Sequence, residues 1–225
     1  MSSDILEVEH PRQYFARNLA LSSLYFRIAE EEYCSCLDSE DVDTSELPMD
    51  EVALISDKST RSAVKSIVFA AMCVESAINN YGGTYLGDNY FNKHLAGLDV
   101  VSKWVVIPKL VCGNSIDKSG PAFSSLKALI ACRNELIHNK SHEIDLSDMV
   151  KLHEKLEKKE MKFENDFLNS MKCLYLLSFE MDYVVGPIRN PLGTFHPKVN
   201  IEHTPPERVK ALFIKSRELI KKQYS

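Results

Sequence analysis

Period-two alternation of polar and apolar residues is scarce in this 225-residue chain, and its β-branched residues do not gather between turn signals. That argues against a sheet and leaves helices to satisfy the backbone. No uninterrupted apolar run approaches the roughly 20 residues that a bilayer-crossing helix needs. The opening MSSDILE has neither the basic region nor the apolar core of a signal peptide, so a cytoplasmic protein with no membrane partner is expected. Cys34, Cys36, Cys73, Cys112, Cys132 and Cys173 form no CxxC pair, and most fall inside apolar helical runs. Such thiols read as reduced and buried, not as a disulfide frame or a zinc site. There is no GxxxxGK[ST] phosphate loop, no GxSxG elbow and no HExxH. His138 and His142 have the i, i+4 spacing of helical metal ligands but lack an evident third ligand, so neither metal nor cofactor is expected.

Charge is plentiful but uneven. Ten acidic residues and no Lys or Arg lie between Glu30 and Glu51, which outweighs the whole net charge of −5. The rest of the chain is therefore mildly basic, and the segment from Lys198 strongly so. The total charge neither selects nor excludes a nucleic-acid partner.

Hydrophobic periodicity predicts helices along the chain. The first covers about 11–34, through Phe15, Leu19, Ser22, Phe26, Ala29 and Tyr33. The acidic stretch 35–58, with Pro48, reads as an inserted solvated loop. A helix over about 60–81 carries Val64, Ile67, Val68, Ala71 and Ile78 and is expected to stop at Gly82-Gly83. Another spans 99–112 around Trp104 and bends or ends near Pro108. Pro121 opens a helix with Phe123, Leu126, Ile130 and Ile137 on one stripe. A charged peripheral helix or long excursion is expected over 142–160, then the most apolar helix over 163–185. Prolines keep 187–205 irregular, and a last amphipathic helix covers 206–222. The fold class is all-α, with residues 1–186 as one helical domain and 187–225 as a tail and helix packed on it.

Two charges interrupt this pattern. Glu75 falls near the middle of one apolar stripe and Arg133 on another. A carboxylate aimed at a core costs several kcal/mol unless paired or protonated, so each is expected to be the other's partner. An ion pair that only fixes helix register would explain that much. It would not explain why Asn134 and His138 gather at the same helix end.

At these residues the chain resembles a known family. Arg133-Asn134-Glu135-Leu136-Ile137-His138 matches the R-x4–6-H signature of the HEPN superfamily (higher eukaryote and prokaryote nucleotide-binding domains), where a polar residue, commonly Asn, follows the Arg. Cys73-Val74-Glu75-Ser76-Ala77-Ile78-Asn79-Asn80 is similar to the earlier HEPN helix, which often carries an acidic residue facing the motif. The resemblance covers about Thr60 to Val185. It implies a four-helix bundle core and a homodimer in which two motif copies meet in an interface cleft. It also implies either of two functions. One is a metal-independent endoribonuclease of a toxin–antitoxin, abortive-infection or phage-defence system. The other is a non-catalytic module binding a nucleotide or a partner, such as a nucleotidyltransferase antitoxin.

In the nuclease reading, RNA or a nucleotide is the ligand and Arg133 and His138 are the catalytic pair. An imidazole can both take and give a proton, so His138 suits a general base or acid, with its dimer mate taking the other role. Arg133 offers a planar fork to phosphate oxygens. Asn134 and Glu75 support the pair, and Lys140 is a candidate phosphate contact. The products would be a 2′,3′-cyclic phosphate and a 5′-hydroxyl.

Overall fold

Two helices of 38 and 36 residues dominate the computed structural model, which describes residues 21–138, 141, 149–196 and 204–225. In chain order the helices are α1 (Ser22–Glu40), α2 (Met49–Leu86), α3 (Asp88–His94), α4 (Val100–Cys112), α5 (Pro121–Ile137), α6 (Met149–Val184) and α7 (Glu207–Gln223). A 3-10 turn covers Pro187–Arg189, and no strand occurs among the described residues. The protein is all-helical, as its periodicity predicts.

Helix α1 lies antiparallel to α2: Cys73 Sγ reaches the Ser22 carbonyl at 3.3 Å, Lys65 meets Glu32 at 2.8 Å and Ser59 meets Cys36 at 3.3 Å. It also runs antiparallel to α6, with Phe26 against Tyr175 and Tyr33 stacked on Phe167 at 4.5 Å. Ser22, Phe26, Ala29 and Tyr33 are all buried, so the predicted stripe holds where it is described. Phe15 and Leu19 lie outside the described residues. Between the long helices, Ile67, Ile78, Trp104, Leu126, Leu129, Met171, Leu174 and Leu177 form the centre of the core. The Trp104 indole N–H is satisfied there by the Val74 carbonyl at 3.2 Å.

Several predicted boundaries move. The acidic stretch is not a loop over 35–58: α1 continues to Glu40, α2 starts at Met49, and only Asp41–Pro48 is irregular. Its acids have partners that local composition cannot reveal. Arg208 of α7 meets both Asp38 and Asp41 at 2.6 Å, and the buried Glu30 accepts the Tyr175 hydroxyl at 2.5 Å. Helix α2 passes through Gly82-Gly83 and ends only at Gly87, whose φ of 81° favours glycine. A Cβ on Gly82 would lie 2.7 Å from the Phe91 ring and 3.1 Å from Ile107, so this glycine serves close packing. Pro108 neither ends α4 nor starts a new element; it stays inside the helix, which stops at the left-handed Gly113. The segments predicted as separate helices over 142–160 and 163–185 join in α6, while 142–148 lie outside the described residues.

By length and composition α2 is apolar enough to cross a membrane, a property that counting uninterrupted runs does not register. Just over half of that apolar window, 56%, is buried against the rest of the chain. Beyond α6, Asn190 and Thr194 both donate to Asp182 at 2.7 Å, which ties the predicted irregular tail to the helix. Phe195 then enters a ring cluster with Phe26, Tyr175, Phe179 and Phe213 at centroid distances of 5.1–5.9 Å. Helix α7 completes the packing through Val209, Ser216 and Ile220.

Candidate functional site

Gly120 and Pro121 start α5, and the helix then buries Ala122, Ser125, Leu126, Leu129 and Cys132. It lies antiparallel on α6: Asp117 N–H donates to Glu180 at 2.7 Å, Asn169 Nδ2 to the Ser125 carbonyl at 2.9 Å, and Lys162 pairs with Glu135. This packing sets the direction of the motif side chains. Arg133 Nη2 meets Glu75 Oε2 at 2.6 Å, which is the pairing that their shared isolation on apolar stripes predicts. Arg133 Nη1 donates to Asn134 Oδ1 at 3.2 Å. Glu75, Arg133 and Asn134 therefore form one connected group across α2 and α5.

The group is shallower than the helical wheel suggests. The Arg133 side chain is 22% exposed and that of Glu75 37%, so the pair sits at the rim of the core. Cys132 and Leu129 carry the α5 interface, whereas Ile137, expected on the buried stripe, is 55% exposed. The apolar face is turned toward α6, and Arg133 comes to its edge. A pair in this position keeps charge that a deeply buried pair could not present to a ligand.

His138 caps α5. Its backbone N–H donates to the Asn134 carbonyl at 3.0 Å, φ and ψ are −100° and 19°, and the residue is exposed. Among the described residues no hydrogen bond joins its ring to Arg133 or Asn134, so Asn134 engages the arginine and not the imidazole. Lys140 and His142 lie outside the described residues. No group of three His, Cys, Asp or Glu side chains with metal-binding geometry occurs among the described residues.

Beside the motif, α6 carries a feature that a merely peripheral helix would not have. Lys151, Lys155, Lys158 and Lys162 recur at spacings of four, three and four, within about 40° of one direction at 100° per residue. Asn165, Asp166 and Asn169 share that face, and α5 covers it there through Ser125 and Glu135. Beyond the end of α5 the same face continues as the lysine stripe, not covered by α5, with Glu154 at its edge and Glu157, Glu160 and Glu164 on the opposite side. The residues from His153 to Lys162 are exposed, and a shallow groove of about 510 Å³ runs beside Lys155, Lys158 and Lys159. The i, i+4, i+7, i+11 spacing was visible in the sequence. Its adjacency to the end of α5 was not.

Between the stripe and the motif lies a smaller recess of about 200 Å³, lined by Cys132, Glu135, Lys159, Lys162 and Phe163. Burial, and secondarily the charge of Asp166, pushes the Cys132 thiol up to about 12. It is therefore protonated and inert at neutral pH, like the structural thiol expected from its apolar setting. No protein-family model matches the chain, and neither does any curated protein or solved structure.

Proposed function

We propose that the chain is a metal-independent endoribonuclease of the HEPN type, acting in the cytoplasm in a defence or toxin setting. Its core would be a four-helix HEPN-like bundle of α2, α4, α5 and α6, with α1 and α7 appended. The observation that carries the reading is the connected Glu75–Arg133–Asn134 group at the end of α5, with the exposed His138 capping the same helix. Glu75 orients the Arg133 guanidinium, which is the fixed cation for charge that grows on a phosphorane. His138 takes the proton from the 2′-hydroxyl as that oxygen bonds to phosphorus. The phosphorus–O5′ bond then breaks, and O5′ receives a proton from His138 of the partner subunit across a homodimer cleft. The lysine stripe supplies sequence-independent attraction for the RNA backbone next to that cleft.

A second reading has its own support. Arg133 is engaged within the chain at both terminal nitrogens, as a positioning residue would be, and His138 has no orienting partner among the described residues. A non-catalytic HEPN module, binding a nucleotide or an antitoxin-like partner, fits that state. Arg133→Ala, His138→Ala and Glu75→Gln proteins, assayed on labelled RNA with detection of 2′,3′-cyclic phosphate ends, separate the readings. The nuclease loses about 100-fold or more in rate on removal of His138, and Glu75→Gln slows it without unfolding it. RNA bound but uncut by the wild type selects the second reading. Cutting undiminished in both alanine variants would falsify the site.

A further inference from the structure

A second cavity, of about 340 Å³, opens far from the motif, where α6 ends and the 187–196 segment crosses toward α7. That volume lies within the range of small-molecule sites. Its walls are mostly flat and apolar. Phe179 and Phe195 belong to the ring cluster with centroids 5.5 Å apart, and Tyr183 is held by stacking on Tyr224 at 4.6 Å and 10°. Asp182 forms the polar side, each carboxylate oxygen already fixed by one donor, Asn190 or Thr194, at 2.7 Å. An oxygen so held retains a second lone pair for a ligand N–H. The His196 backbone N–H donates to the Thr194 hydroxyl at 3.0 Å, and His196 lines the same wall. Arg217 reaches the rim from α7, is exposed, and makes no ion pair or hydrogen bond among the described residues.

Each part selects a property of the occupant. Aromatic walls accept a flat ring, because offset ring–ring contact adds to burial. A fixed carboxylate at the wall selects a ring with an N–H donor over a hydrocarbon. A guanidinium at the mouth selects an anion on the ring's outer end, and its planar fork favours phosphate or carboxylate. A heteroaromatic ring bearing both an N–H group and a phosphate satisfies all three. From this geometry we infer that the α6–α7 junction is a binding site for a nucleoside monophosphate. The base lies against Phe195 and the face of Tyr183 turned away from Tyr224 and donates to Asp182, and its phosphate pairs with Arg217. Lys162 and Tyr183 are about 32 Å apart along α6 at 1.5 Å per residue, so the pocket does not overlap the motif end. The inference does not rest on the nuclease reading.

Isothermal titration calorimetry with AMP, GMP, CMP and UMP, the four matching nucleosides and inorganic phosphate tests it. At least one monophosphate binds the wild type, its nucleoside binds about tenfold more weakly, and inorganic phosphate does not replace it. Arg217→Ala weakens the monophosphate by about tenfold and leaves the nucleoside unchanged, since Arg217 meets only the phosphate. Arg217 is exposed, so this variant keeps the fold, and matching circular dichroism verifies it. Lys215→Ala, at an exposed α7 position that does not line the cavity, binds as the wild type does. The proposal is overturned if no monophosphate binds at millimolar concentration, if Arg217→Ala binds as tightly as the wild type, or if Lys215→Ala weakens binding as much as Arg217→Ala.

Discussion

Glu180 is fully buried, although periodicity marks only Glu75 and Arg133 as charges on apolar stripes. Its Oε1 accepts the Asp117 N–H at 2.7 Å and the Tyr224 hydroxyl at 2.9 Å, while Oε2 and the nearby Gln223 Oε1 both lack donors. Burial raises its pKa above the ordinary glutamate value, and a proton on Oε2 would supply the missing donor. For a carboxyl whose folded pKa is raised, stability is fully present below the unfolded pKa of about 4.5. It falls as pH rises through the folded value. Glu180→Gln places a permanent amide donor at that oxygen. The variant is expected to melt roughly 2–8 °C above the wild type at pH 7, and the gap should close as the buffer is taken down to pH 4.5. A constant gap across that range would show that ionisation of Glu180 is not the cause. Glu75 and Arg133 show the converse at the same scale. Their pairing was legible because each lacked any other reason to lie on an apolar stripe. Their depth was not, since wheel position fixes direction around one helix and not where the neighbouring helices stop.

Helix identity was legible from periodicity along most of the chain, and helix ends were not, because several ends are decided by tertiary contacts. The Gly82-Gly83 pair reads locally as a stop, but α3 and α4 hold Phe91 and Ile107 so close that α2 must present a residue without a Cβ. In an open helix interior, Gly→Ala gains about 1 kcal/mol. At position 82 the added methyl would meet a buried ring, and overpacking of that kind costs about 1–3 kcal/mol. Gly82→Ala is therefore expected to lose up to about 2 kcal/mol of stability in urea unfolding, offsetting or reversing the propensity gain. Gly97→Ala, where nothing lies within 4 Å of the added Cβ, should stay within about 0.5 kcal/mol of wild type. An equal or improved midpoint for Gly82→Ala would mean that α3 yields and does not dictate the glycine. The acidic run failed as a predicted loop for a related reason: Arg208, 170 residues after Asp38, supplies its countercharge.

At the scale of the whole molecule, net charge is uninformative because the fold separates charges that the sequence adds together. Arg208 draws α7 onto the acid-rich end of α1, and on α6 Lys151, Lys155, Lys158 and Lys162 share one face while Glu157, Glu160 and Glu164 lie on the other. The basic face emerges where α5 ends at His138, a juxtaposition that depends on α5 lying antiparallel on α6. If RNA reaches the motif along this face, its phosphates displace counterions there, and affinity falls with salt at a slope of about 0.7 per contact for a single strand. Lys155→Ala with Lys158→Ala, made in a His138→Ala background so that the RNA stays intact, removes two such contacts. The slope of log affinity against log salt should decrease by about 1.4, with similar weakening for RNAs of different sequence. Glu157→Ala with Glu160→Ala changes the opposite face of the same helix and should not weaken binding. Both pairs alter charge without touching the core, since all four side chains are exposed. A slope that is unchanged by the lysine pair, or lowered equally by the glutamate pair, would mean that RNA approaches the motif from another side.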